Sequence, residues 1–124
     1  MRGLTFDTGA LIGLERRHQR IARVYRAAVS DGLPVTVPAV VIAEWWRGRS
    51  DARELVLRGV RVEATTSVLA RVAGEALAAV PGATVVDAVV MASAAQRGDI
   101  VYTADVIDLQ RLQTFFPAVT LLAV

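Results

Sequence analysis

Short runs of β-forming residues alternate with stretches of helical spacing along the whole 124-residue chain, and this alternation limits the fold more than any other feature. The β-type runs are Leu4–Phe6, Pro34–Val37, Val60–Glu63, Ile100–Thr103 and Val119–Val124. A helix is expected to leave from Thr8-Gly9, and others over Gln19–Val29, Ala39–Arg47, a short stretch after Ser50-Asp51, Val68–Val80, Thr84–Arg97 and Val106–Phe115. Gly32, Pro38, Gly59, Pro81-Gly82, Gly98 and Pro117 supply the breaks. Strands separated by helices imply a parallel sheet covered on both faces. The expectation is therefore one α/β domain over residues 1–124, a three-layer sandwich around a mostly parallel five-stranded sheet.

Composition removes several chemistries. There is no cysteine, which excludes disulfide, thiolate and Cys-metal sites. All 14 basic residues are arginine. Without lysine there is no Schiff base, no Walker A lysine and no receiver-domain lysine. A lone His18 supplies no two-histidine acid/base pair. Mean hydropathy is +0.45, yet the longest uncharged run, Leu112–Val124, falls short of the roughly 18–20 residues a membrane span needs. The apolar surplus is expected to cover an oligomer or partner interface instead. The chain enters a strand almost at once and shows none of the charged, apolar and cleavage regions of a signal peptide, so a cytoplasmic location is expected.

One acid stands alone in each of four apolar runs. Asp7 is the only charged residue of Gly3–Leu14, Glu44 of Leu33–Trp46, Asp87 of Leu77–Gln96 and Asp105 of Ile100–Ile107. Burying an unpaired carboxylate is costly. Capping accounts for three of them singly: Asp7 and Asp105 each begin a helix, and Asp87 follows Thr84 by three residues. Glu44, read as lying mid-helix, has no such role. In the α/β arrangement, Asp7 and Asp105 lie just beyond strand ends, and Asp87 can approach the same edge. One shared cation site answers all four. Carboxylate-only ligation suits Mg²⁺ or Mn²⁺, which would activate water for hydrolysis of a phosphodiester. With four acids so engaged, 14 arginines face eight acids, a net +6 suited to a polyanion.

These residues resemble the PIN-domain ribonucleases, in particular the VapC-type toxins of prokaryotic toxin–antitoxin modules. The matching pieces are F-D-T-G-A-L-I-G-L-E-R, V-I-A-E-W-W-R-G, V-V-D-A-V-V-M-A-S-A-A-Q-R-G and I-V-Y-T-A-D-V-I-D-L, in that order and covering essentially the whole chain. The resemblance implies that Asp7, Glu44, Asp87 and Asp105 bind the metal, with Glu44 acting directly or through water. It makes Asp108 a further acid and Thr103 the hydroxyl residue two before the last acid, and Thr8 joins them as a supporting residue. It also implies RNA as substrate, Mg²⁺ or Mn²⁺ as cofactor, a homodimer, and inhibition by a VapB-type antitoxin in a hetero-oligomer. Trp45 or Trp46 would serve the partner groove, and Arg16, Arg17, Arg20 and Arg23 are candidates for contacts to RNA backbone.

Three rival readings exist. Asp7-Thr8-Gly9 spells the triplet of aspartic proteases, but those folds are nearly all β, against the helical spacing here. A receiver or phosphatase of flavodoxin-like fold would want a second acid two residues after the first, or a lysine. The third is a PIN-like domain that binds RNA or protein without cutting.

Overall fold

The computed structural model describes residues 2–124. The elements run β1 (Leu4–Phe6), α1 (Thr8–Glu15), α2 (Gln19–Ser30), β2 (Val35–Pro38), α3 (Ala39–Trp45), α4 (Asp51–Arg58), β3 (Arg61–Glu63), α5 (Ser67–Ala79), α6 (Val85–Arg97), β4 (Ile100–Thr103), α7 (Val106–Leu112) and β5 (Thr120–Ala123). The strand order is β3-β2-β1-β4-β5, and every pairing is parallel. The sheet is thus wholly parallel rather than mostly so. The right-handed crossover rule, applied to this strand order, assigns α1–α4 to one face and α5–α7 to the other. In the packing, α6 lies on β1, β2 and β4 and touches α5 and α7, α1 meets α2, α3 and α4, and α3 also reaches α6.

Local chemistry sets the element ends. Ser50, Thr66 and Thr84 each accept a hydrogen bond from a backbone N–H three residues on, starting α4, α5 and α6. Gly98 stops α6 in the left-handed region at φ 70°, a conformation open to glycine at little cost. Helix α7 ends at Leu112, three residues earlier than its spacing suggests, and Phe116 then folds back into the core.

The three residues of β1 are buried on both sides, as a central parallel strand requires. Phe6 packs edge-on against Tyr102 at 5.9 Å between centroids. The small residues Ala88, Ala92, Ser93 and Ala94 let α6 sit close on the sheet, and all are buried. No helix among the described residues is long and apolar enough to cross a membrane.

The order of strands fixes where a site can form. The chain leaves β1 toward β2 on one side and leaves β4 toward β5 on the other, so the topology reverses between β1 and β4. A crevice opens at the carboxyl ends of such a strand pair.

Candidate active site

Asp7 follows β1 directly and Asp105 lies two residues past β4, so both stand at the reversal point. Helix α6 feeds into β4, which brings its first turn, and with it Asp87, to the same edge. Glu44 arrives from α3, which follows the carboxyl end of β2.

Two threonine hydroxyls hold this edge in place. Thr103 Oγ1 donates to Asp7 Oδ2 in a short hydrogen bond and accepts the Asp105 backbone N–H at 2.8 Å, linking the two strand ends. Asp7 Oδ1 accepts from the Ala10 backbone at 3.1 Å, so Asp7 caps α1 as well. Thr8, the first residue of α1, donates to Glu44 Oε1 at 2.6 Å. Asp105 occupies the N-cap position of α7 but makes no side-chain capping bond, so capping does not explain it.

The carboxylates act on one another. Burial is the main force that pushes Asp7 up to about 6, opposed by the Thr103 hydroxyl and the Ala10 N–H and reinforced by the charges of Asp105 and Asp87. Asp87 is also raised, first by partial burial, against the Thr84 hydroxyl, and further by Asp105, Asp108 and Glu44. Ion pairs among the described residues are Arg49–Asp51, Arg53–Glu15, Arg97–Glu63 and Arg97–Asp99, and none of them answers these five acids.

The burial expected of the four acids holds only in part. Asp7 is buried and Asp87 half-buried, but Glu44 and Asp105 are exposed. Glu44 is the next-to-last residue of α3, not a mid-helix residue, and projects toward solvent at the helix end. An apolar run in sequence does not bury the residue that faces outward from it. Asp108 is exposed in the first turn of α7.

The donor set, oxygen throughout and without a basic partner, fits a hard divalent cation. No three acidic or histidine side chains among the described residues stand close enough to enclose an ion by themselves. Magnesium is commonly held by one or two carboxylates, with water and substrate oxygens completing its shell.

Beside the acids lies a cavity of about 510 Å³, lined by Thr8, Gly9, Glu44 and Asp105 together with further residues of α1, α3 and the stretch into α4. Of the arginines assigned to RNA, Arg16 lines this cavity. Arg20 lines a different one, and Arg17 and Arg23 are exposed elsewhere. Arg47 and Arg53 line it too, and sequence spacing gave no reason to single them out. Trp45 is a core residue whose Nε1 donates to Glu15 Oε1 at 2.9 Å, while Trp46 is half-buried against it at 5.9 Å.

A second polar cluster was not foreseen. Asp99, just before β4, is buried and accepts from Gly3 N at 3.1 Å, Thr5 Oγ1 at 2.8 Å and Arg97 Nε at 2.8 Å. Arg97 also reaches Glu63, Ser93 and Thr5. This cluster ties β1, β3, α6 and β4 together and belongs to the scaffold.

Comparison with solved structures tests the architecture. A chain of the DNA-bound VapBC complex from Salmonella typhimurium superposes with a TM-score of 0.73 at 17% identity, covering 99% of this chain and 98% of that one. A chain of VapBC2 from Rickettsia felis, bound to a DNA fragment from its promoter, gives 0.71 at 12% identity with 98% of each chain covered. A chain of FitAcB from Neisseria gonorrhoeae gives 0.61 at 19% identity over 95% of each. The fold is the PIN-domain fold. The whole-chain likeness agrees with the VapC-type pattern carried by the sequence. No protein-family model matches the chain, and neither does any curated protein. The PIN-fold architecture places Asp7, Glu44, Asp87 and Asp105 at one edge, although they come from four separate parts of the sequence.

Proposed function

We propose that the chain is a metal-dependent endoribonuclease acting as the toxin of a toxin–antitoxin pair. One observation carries the reading: Asp7, Asp87, Asp105 and Glu44 lie at the edge beside the topological reversal, burial and the neighbouring acids push Asp7 and Asp87 up, and none of the four has a cationic partner. A cation there removes the repulsion. Asp7, Asp87 and Asp105 would hold Mg²⁺ or Mn²⁺, with Glu44 directly or through water and Asp108 at the margin. When bound, the ion would supply an activated water and screen phosphate charge. Thr103 fixes the Asp7 carboxylate relative to the Asp105 backbone, and Thr8 fixes one oxygen of Glu44, leaving the other free. RNA is the proposed substrate, reached in the cytoplasm.

The structural neighbours are chains of VapBC and FitAB complexes, which supports a VapB-type antitoxin as partner. Exposed apolar residues such as Leu55, Val68 and Ile107 offer surface for that partner or for a homodimer.

A non-cleaving PIN-like module that binds RNA or protein remains the rival. The exposure of Glu44 and Asp105 favours it, since exposed carboxylates cost little to keep. Incubating total cellular RNA with antitoxin-free protein in Mg²⁺, Mn²⁺ or EDTA, beside Asp7→Asn, separates the two. Discrete fragments that require metal and vanish in the variant are the expected result. Intact RNA from folded protein under every metal would leave the module standing.

A further inference from the structure

The cavity beside the acids has two electrically different ends. Helix α1 runs along it, with Thr8 and Gly9 at its start, Ile12 midway and Glu15-Arg16 at its finish. At about 1.5 Å rise per residue, Arg16 lies roughly 12 Å along the axis from Thr8. The start of the helix carries Glu44 and Asp105, the open acids of the site.

At the far end the charge is reversed. Glu15 is the one acid there, and both its oxygens are engaged, Oε1 by Trp45 Nε1 at 2.9 Å and Oε2 by Arg53 at 3.2 Å. Arg53 also donates to the Gly48 carbonyl at 2.9 Å, and its Nε is buried with no acceptor. Arg16 and Arg47 line the same cavity, are exposed and enter no ion pair among the described residues. With Glu15 neutralised by Arg53, Arg16 at the end of α1 and Arg47 just past α3 give the cavity two positive charges that no ion pair answers.

One phosphate group is too small to meet both ends. A strand of nucleic acid does so, with one phosphate at the acids through a cation and a neighbouring phosphate against guanidinium groups, which suit phosphate oxygens in pairs. We infer that this cavity is the subsite for the nucleotide flanking the cleaved bond, with Arg16 and Arg47 contacting its phosphate. The inference rests on the ribonuclease reading and adds to it the direction in which the strand leaves the acids, along α1 toward α4. It also selects among the arginines. Arg16 belongs to the path together with Arg47, whereas Arg20 and Arg23 on α2 do not.

The test is binding of a fluorescein-labelled oligoribonucleotide, followed by anisotropy in EDTA across a KCl series. Arg16→Ala/Arg47→Ala is compared with Arg20→Ala/Arg23→Ala, each pair being exposed and its folding checked by circular dichroism. Losing two single-strand phosphate contacts lowers the log–log salt slope by about 1.4. That loss is expected for the first pair and not for the second. An unchanged slope in the first pair, or an equal loss in both, overturns the inference. A second arm places one uncharged methylphosphonate linkage at successive positions around the cut. In the unsubstituted protein one position beside the cut is expected to raise KM, and in Arg16→Ala/Arg47→Ala that sensitivity disappears. If no RNA is cut at all, the ribonuclease reading fails, and the binding arm still decides whether the arginines hold phosphate.

Discussion

Replacing Asp7 by asparagine should make the metal-free protein more stable while abolishing its proposed activity. The folded chain holds the Asp7 proton up to about pH 6, whereas the unfolded chain releases it near 3.9. Between those values the folded state binds more protons than the unfolded one. Stability therefore falls as pH rises through that window and levels off above it. At neutral pH the ionised carboxylate costs roughly 3 kcal/mol, set against total stabilities of about 5–15 kcal/mol. Asparagine never ionises and caps a helix about as well as aspartate, so the Ala10 contact survives. Some of the gain is lost because the Thr103 hydroxyl bonds a carboxamide oxygen less strongly than a carboxylate. The net expectation is a gain of about 1–3 kcal/mol near pH 7.5 that shrinks toward zero near pH 4. Urea denaturation in EDTA at both pH values measures it. A variant less stable than the parent at the higher pH, or a gain that grows as pH falls, would refute the assignment of Asp7 as a carboxylate held at a cost.

Two further substitutions probe the scaffold. Arg97→Ala strips the cation from buried Asp99 and from Glu63, and urea denaturation should show a loss of about 3–5 kcal/mol; a loss under about 1 kcal/mol would mean the cluster is incidental. Thr103→Val removes a donor from Asp7 and an acceptor from the Asp105 N–H, costing about 1–3 kcal/mol and moving Asp7 above its present value near 6. Carbon-detected NMR titration reads that shift, and Thr103→Ser should reverse it.

The strands and helices were legible because their punctuation is local. Gly98 in the left-handed region and Thr84 on its N3 N–H delimit α6 within their own neighbourhood, and β4 matches its β-forming run residue for residue. The acids proposed for the site stand out in the sequence because each is conspicuous in an apolar run. Their exposure does not, since facing direction depends on where a helix ends, as with Glu44. The Arg97–Asp99–Glu63 cluster escaped notice for a related reason. Asp99 lies next to the helix-ending Gly98, and its partners Gly3 and Thr5 come from the other end of the chain, brought to it by the pairing of β4 with β1. Arg53 likewise comes to line the cavity only when α4 folds back on α1.

The hydrogen bond from Thr103 to Asp7 joins residues 96 positions apart, across the central pair of strands. During synthesis the ribosome therefore delivers the first acid early and its anchoring hydroxyl late. Until β4 docks beside β1, Asp7 lacks that hydroxyl and Asp105 has no fixed place. A nascent or truncated chain ending before β4 carries Asp7, Glu44 and Asp87 without the strand that aligns them. The candidate site is thus aligned only once β4 has docked beside β1, however early its other acids are in place.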